Sequence, residues 1–185
     1  MNRIIKRGEI MKKTFSLWAL CGFAFVSAFG TILHYLYEWT GGNAFIALFS
    51  GVNESTWEHM KLLFFPMLVF AIIQSFFFKD QKNFWCVKLY STLLGLILIP
   101  AIFYTYNGVV GKSPDWINIA IFFISAAIAY YFESRLFKSG KIKCERKKIA
   151  ILSFVIIAVL FGLFTFFTPR LGIFLDPVLG GYGIS

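Results

Sequence analysis

Residues 149–167 read IAILSFVIIAVLFGLFTFF, and this stretch contains no charged side chain. An apolar segment of roughly 20 residues is long enough to cross the hydrocarbon core of a bilayer as a helix. Four other segments are also mainly apolar and about as long: Phe15–Tyr37, Lys61–Phe78, Phe84–Tyr106 and Trp116–Phe132. We therefore predict an all-α, polytopic membrane protein whose five transmembrane helices occupy residues 15–167.

The composition of the whole chain supports this class. Of its 185 residues, 58% are hydrophobic, 20% are aromatic and only 15% are charged, whereas about 25% of the residues of soluble domains are charged. A soluble domain of this length could not bury so much apolar surface. Disordered chains are poor in aromatic and bulky aliphatic residues, so disorder is excluded as well.

The basic residues predict the orientation. Fifteen of the 18 Lys and Arg residues lie in three places: residues 1–14, the connection between the second and third spans taken together with Lys88 at the start of the third, and the connection between the fourth and fifth. All three places fall on the same side of the membrane if the five spans alternate. Because cytoplasmic loops are enriched in Lys and Arg, we predict a plasma-membrane protein with its N-terminus, including the cytoplasmic segment 1–14, inside and its C-terminus outside.

The net charge of +9 is therefore mainly a signal of topology. The basic run Lys138–Lys148 is better suited to anionic lipid headgroups than to nucleic acid. We expect membrane lipids as partners and no nucleic acid, and the sequence names no protein partner. The three cysteines all fall on the predicted inner side or in the inner half, and no CxxC pair suggests a thiolate metal site.

Both histidines lie near the predicted outer boundary. His34 and Glu38 are four residues apart near the end of the first span, so they share a helix face. Small and hydroxylated residues continue this face toward the inside, in the series Ala24, Ser27 and Thr31. Such residues favour contacts between membrane helices, so we expect the stripe, and His34 with it, to face the bundle.

The second polar cluster is residues 53–61, NESTWEHMK, which leads into the second span. Ser55 and Glu58 have the spacing of a capping box, and Glu58 can pair with Lys61. This structural interpretation explains part of the motif. It does not explain Glu54, which we expect on the same face as Glu58, or the neighbouring His59.

These groups suggest a site at the outer membrane boundary. Imidazole and carboxylate groups bind zinc, iron and manganese, and ionisable residues at membrane depth are functional candidates. We predict His34, Glu38 and His59 as ligands of a divalent metal such as zinc, with Glu54 or Glu58 as the general base of an intramembrane enzyme acting on a lipid or envelope substrate. A small transporter or ligand-binding protein and a structural or partner-binding subunit are the alternatives.

Two further segments complete the predicted pocket. Residues 40–60 contain an apolar stretch too short to span, so we expect either an interfacial or re-entrant segment or an ordinary surface loop. The tail, residues 168–185, is too apolar to be free, and we expect it to fold over the outer mouth of the bundle. Lys61 and Asp176 would then lie at the pocket. Arg170 would neutralise the acidic cluster, bind an anionic headgroup or pair with Asp176.

The chain also resembles a known family. The residues that carry the resemblance are Trp39–Asn43, the motif VNESTWEH at Val52–His59, and a tail with Asp176, Pro177 and Val178 followed by Tyr182, Gly183 and Ile184. They are similar to a family of small polytopic membrane proteins, mainly of Gram-positive bacteria, described only as a domain of unknown function. The resemblance covers the whole length. It implies a bacterial plasma-membrane protein, and it implies no activity, cofactor or catalytic residue.

Overall fold

Helices make up most of the structure, which is a computed structural model describing residues 2–184. Their order is α1 (Asn2–Trp39), α2 (Ala44–Ala47), α3 (Thr56–Ser75), α4 (Phe84–Val109), α5 (Asp115–Ser139) and α6 (Lys147–Phe166), followed by a short 3-10 turn at Gly172–Phe174. Five of these helices, all except α2, are long and apolar enough to cross a membrane. The predicted all-α, five-span membrane fold is confirmed, while the inside–outside orientation stays a prediction.

Helix α3 begins earlier than its apolar run. Ser55 is its N-cap, and the Ser55 hydroxyl accepts a hydrogen bond from the Glu58 N–H at 3.4 Å. This side-chain cap satisfies one of the backbone donors that a helix start leaves free. Because the cap places the start at Thr56, Pro66 lies in the middle of α3. A helix that began at Lys61, the start of the predicted span, would have Pro66 in its first turns.

Helices α1 and α5 pack closely through two glycines. A Cβ atom added to Gly30 would lie 2.5 Å from Phe122, and one added to Gly22 would collide with Tyr130. The two glycines are eight residues apart on α1, and their two aromatic partners are eight residues apart on α5. Because the later glycine meets the earlier aromatic residue, the two helices are antiparallel. The packed face of α1 is thus the glycine face and not the predicted polar stripe, of which Ala24, Thr31 and Glu38 are exposed while Ser27 and His34 are half-buried.

Helix α3 supplies the centre of the core. Its residues Leu63, Phe64 and Met67 are almost completely buried, and α3 contacts α1, α4, α5 and α6 as well as the 3-10 turn of the tail. Packing of this kind holds both ends of α3 in place. The N-terminal end of α3, with its polar residues, is consequently fixed where α1, α6 and the tail meet it.

Two charged residues, Lys88 in the predicted third span and Glu133 just after the predicted fourth, are buried. The Lys88 ammonium lies 2.7 Å from the Glu133 carboxylate, between α4 and α5, and the Ser91 hydroxyl donates to the same carboxylate. A buried charge requires a partner, and these two residues provide each other with one. Since the pair is neutral, its burial in the bundle does not change the difference in net charge between the two sides of the membrane.

The start of α4 is covalently linked to the connection between α5 and α6. Cys86 and Cys144, 58 residues apart, form a disulfide, and Cys21 is a free, exposed cysteine. The sequence placed both cysteines on the predicted cytoplasmic side, where disulfides are rare, so the disulfide counts against the predicted orientation. The sequence could not predict that they meet, because that depends on how α4 packs beside α5.

Candidate functional site

Three side chains from different elements converge at one end of the bundle. His34 comes from α1, Glu54 from the loop before α3, and His59 from the first turn of α3. One nitrogen or oxygen atom of each lies within 4.8 Å of the others. His34 Nε2 is 3.5 Å from Glu54 Oε1, and His59 Nε2 is 3.6 Å from Glu54 Oε2. We call these three residues the His–Glu–His cluster.

The orientation of His59 is determined by its own helix. His59 Nδ1 lies 3.0 Å from the carbonyl oxygen of Ser55, which can only accept a hydrogen bond. Nδ1 therefore carries a hydrogen, and the neutral imidazole presents a lone pair from Nε2 toward Glu54. Two groups that both accept hydrogen bonds then face each other unless a proton or another cation lies between them.

The position of His34 depends on the segment between α2 and α3. The Ser50 hydroxyl accepts a hydrogen bond from the Tyr37 N–H and donates one to the Leu33 carbonyl. In a regular helix this amide and this carbonyl would bond to each other. The Gly51 N–H also donates to the Leu33 carbonyl, at 3.2 Å. Ser50 is completely buried, so this segment packs against the turn of α1 that carries His34.

The loop that carries Glu54 is held by the tail. The Glu54 N–H donates to Asp176 Oδ2 at 3.4 Å, and the Asn53 side-chain amide donates to the Gly183 carbonyl at 2.9 Å. Asp176 is 2% exposed, and its other oxygen accepts from the N–H groups of Val178 and Leu179. Nearby, Phe174 of the tail packs on Trp57 of α3.

A second polar cluster lies beside the first but does not join it. The Glu58 carboxylate pairs with Lys61 at 2.5 Å, and both side chains are buried. Thr165 of α6 donates to Glu58 and accepts from Lys61, and Lys61 also donates to the carbonyl of Ala47. The predicted pairing of Glu58 with Lys61 is present in the structure. Because α3 starts at Thr56, Glu54 precedes the helix and does not share a face with Glu58.

The remaining predicted site residues lie apart. Glu38 and Arg170 are exposed, and neither forms an ion pair with any of the side chains that the structure describes. The structure thus brings together His34, His59 and Glu54, where the sequence suggested His34, His59 and Glu38. The reason is the course of residues 40–55, which leads the chain back from the end of α1 and places Glu54 between the histidines.

Sequence reasoning also missed three polar residues at the site. Ser50 and Thr165 are buried near the two clusters, and Asn118 of α5 lines the same pocket as His34. Asn118 had a visible signal, since it is an amide within the first turns of an otherwise apolar span. Ser50 and Thr165 had none, because hydroxyl groups commonly bond to their own helix.

A groove leads away from the His–Glu–His cluster between α1 and α5. Its volume is about 460 Å³, within the range of about 300–1,000 Å³ typical of small-molecule sites. Besides the three residues of the cluster, the lining comprises Gly30, Thr31, Tyr35, Leu62, Asn118, Ile119, Phe122, Phe123 and Val178. The groove is therefore polar at the cluster and apolar along most of its walls.

Comparison with family models identifies the chain. A model described as "Family of unknown function (DUF6512)" matches residues 8–184. The chain belongs to this family. Neither the curated proteins nor the solved structures gave a match. Membership of DUF6512 confirms the resemblance found in the sequence, and with the five apolar helices it identifies an integral membrane protein of unknown function.

Proposed function

We propose that the His–Glu–His cluster binds one divalent metal ion, of which zinc is the best candidate, and that the protein is a metal-dependent hydrolase working within the membrane. The observation that supports this proposal most directly is the convergence of His34, Glu54 and His59 from three elements at the polar end of a groove. Two histidines and one glutamate form a ligand set that catalytic zinc uses elsewhere.

The separations between the ligand atoms fit such an ion. Zinc lies about 2.1 Å from its nitrogen and oxygen ligands, so two ligands at a tetrahedral angle are about 3.4 Å apart. Two observed separations, 3.5 Å from His34 to Glu54 Oε1 and 3.6 Å from His59 to Glu54 Oε2, are close to that value, although they involve different oxygens of Glu54, and the three ligand atoms as a set lie within 4.8 Å of one another. A cation at this position also resolves the contact between the lone pair of His59 and the Glu54 carboxylate.

The surroundings of the ligands favour a metal as well. Ligating histidines usually donate their second ring N–H to a carbonyl or carboxylate, which fixes the ring and raises its basicity. His59 makes this contact with Ser55, and the backbone of Glu54 is anchored by Asp176. Ser50 supports the backbone of the turn that carries His34, through Tyr37 and Leu33.

Three protein ligands leave one position for water on a tetrahedral ion. Metal binding lowers the pKa of such a water toward about 7, which makes hydroxide available near neutral pH. Because the groove begins at the cluster, the open position would face a substrate bound there. Glu58, which the sequence suggested as a general base, is engaged by Lys61 and Thr165, so we assign it a structural role.

The transporter alternative has less support. Its strongest feature is the second buried charge pair, Lys88 and Glu133, in the other half of the bundle. Between this pair and the His–Glu–His cluster, α3 contributes a tightly buried apolar core that includes Leu63, Phe64 and Met67. A hydrated path would have to cross that core.

The test is elemental analysis of the protein purified in detergent with zinc, iron and manganese supplied. We expect one metal ion per chain. The variants His34→Ala, His59→Ala and Glu54→Gln should each weaken binding by at least the 10- to 100-fold typical of losing an outer-shell partner. Glu38→Gln is the matched control, since Glu38 is exposed and outside the cluster, and it should bind as the unaltered protein does.

Two results would overturn the proposal. One is metal-free protein after purification under these conditions. The other is an equal loss of metal in Glu38→Gln and Glu54→Gln, which would mean that the ligands are not those of the cluster.

A further inference from the structure

The groove ends where α1 and α5 touch. Its far limit is the contact between Gly30 and Phe122, at which there is no room even for a Cβ atom. From that contact to the His–Glu–His cluster, Leu62, Ile119 and Phe123 provide apolar walls. A cavity of this form has room for one slender apolar group with a polar end.

The outer sides of the same two helices are apolar and exposed. On α1 these residues include Phe29 and Ile32, and on α5 they include Ile119 and Ile124. In a helix that spans a membrane, such residues face the hydrocarbon chains of lipids. Ile119 belongs to both surfaces, since it also lines the groove. The medium next to the groove is therefore lipid, and a lipid chain can enter sideways from the bilayer.

A hydrogen-bond chain fixes which atom Asn118 presents. The Ser113 N–H donates to Asn107 Oδ1 at 2.8 Å, so the amide hydrogens of Asn107 point away from that N–H, and one donates to the Ser113 hydroxyl. Ser113 in turn donates its own hydrogen to Asn118 Oδ1 at 2.8 Å. The Asn118 oxygen is thereby engaged. Its Nδ2 donates to none of the side chains and backbone groups that the structure describes, a set that leaves out the side chain of Asp115, so its hydrogens are offered to a ligand in the groove.

We propose that the groove binds a monoacylated, uncharged lipid such as a monoacylglycerol. The part of its acyl chain next to the ester lies in the groove between α1 and α5, which covers about 6 Å of helix length, and the rest of the chain extends past Ile119 into the bilayer. Its ester carbonyl oxygen accepts a hydrogen bond from Asn118 Nδ2 beside the His–Glu–His cluster. This inference rests on the proposed function in one respect, which is that the lipid is the substrate of the hydrolase. In the reaction the oxygen of water bonds to the carbonyl carbon, the bond from that carbon to the glycerol oxygen breaks, and a proton from the water goes to the glycerol oxygen. The products are glycerol and a fatty acid.

The first experiment locates the chain. A monoacylglycerol with a photoreactive diazirine in its acyl chain is added to the purified protein in detergent, and the labelled residues are identified by mass spectrometry. We expect saturable labelling of groove residues such as Phe123 and Leu62. Thr31→Trp should abolish it by filling the groove, whereas Ile32→Trp, on the neighbouring lipid-facing position, should not. Labelling spread over all exposed apolar residues, without saturation, would overturn the proposal.

The second experiment tests the carbonyl contact. The ester probe is compared with the corresponding monoalkylglycerol ether, which has no carbonyl oxygen. Loss of one hydrogen bond corresponds to about a threefold to tenfold weaker affinity. We expect Asn118→Leu to weaken binding of the ester by this factor and to leave binding of the ether unchanged. An equal effect on both probes would overturn the assigned role of Asn118, since disturbed packing would affect both.

Both experiments are carried out with metal-free and zinc-treated protein, which separates this inference from the proposed function. Saturable labelling of the groove in a protein that binds no metal would overturn the hydrolase and retain the lipid site. A metal-binding protein whose groove is not labelled would overturn the lipid site and retain the metal centre.

Discussion

At the scale of single residues, the site consists of two neighbouring clusters with different chemistry. In the His–Glu–His cluster, Glu54 is partly exposed and faces two nitrogen atoms. In the other cluster, Glu58 is buried and paired with a lysine. The two glutamates are four residues apart, yet one precedes the helix and the other lies within it. Their roles therefore differ because of the position of one helix cap, Ser55.

The buried pair predicts a stability effect without an effect on metal binding. Glu58→Gln leaves the Lys61 charge buried without its partner, and breaking a buried ion pair in this way costs about 3–5 kcal/mol. The double variant Glu58→Leu with Lys61→Met removes both charges and should recover much of that loss. Unfolding in detergent followed by tryptophan fluorescence measures the difference.

Elemental analysis of the same variants gives the control. The metal content of folded Glu58→Gln should equal that of the unaltered protein, because Glu58 is not a ligand. A double variant no more stable than the single one would contradict the view that the unpaired charge causes the loss.

At the scale of the elements, periodicity and composition predicted all five spans and missed how they are joined at the site. Residues 149–167 and the four similar segments were recognisable because a membrane requires long apolar runs. The histidines were recognisable as rare polar residues near a boundary. That Glu54 and not Glu38 joins the histidines could not be predicted from the sequence, since it depends on the path of residues 40–55 and on the contact of Ser50 with α1. Nothing in the local pattern around Ser50 distinguishes it from an ordinary loop serine.

The packing of α1 on α5 predicts that one glycine is sensitive and another is not. Gly30→Ala brings a methyl group within 2.5 Å of Phe122, and overpacking of this kind costs about 1–3 kcal/mol. Gly108→Ala, in α4, meets no atom within 4 Å and should be neutral or slightly stabilising. Denaturant titration of both variants in the same detergent tests this. Equal stability of the two would mean that α1 and α5 do not pack as described.

At the scale of the whole molecule, the distribution of charge predicts the orientation. The structure buries two ion pairs inside the bundle, Lys88 with Glu133 and Lys61 with Glu58. Each pair is neutral, so the strong excess of basic residues on the N-terminal side is unaffected. The rule that cytoplasmic loops are basic therefore applies to the folded protein as well as to the sequence.

This orientation can be measured with reporters fused to the C-terminus. We expect alkaline phosphatase, which is active only outside the cytoplasm, to be active there, and a green fluorescent protein that folds only in the cytoplasm to be dark. The same two reporters placed in the connection between α5 and α6, near Lys141, should give the opposite result. An inverted pattern would place the His–Glu–His cluster on the cytoplasmic side.

The hydrogen bonds between the tail and the loop that carries Glu54 have a consequence for biosynthesis. A ribosome that has completed α6 has already made both histidines, Glu54 and all five spans. It has not yet made Asp176 or Gly183, which fix that loop. The cluster can therefore reach its final geometry only after residues 176–183 have been translated and have reached the side of the membrane where the loop lies. Until then, the site of a nascent chain in the membrane lacks the contacts of the tail with the loop that carries Glu54.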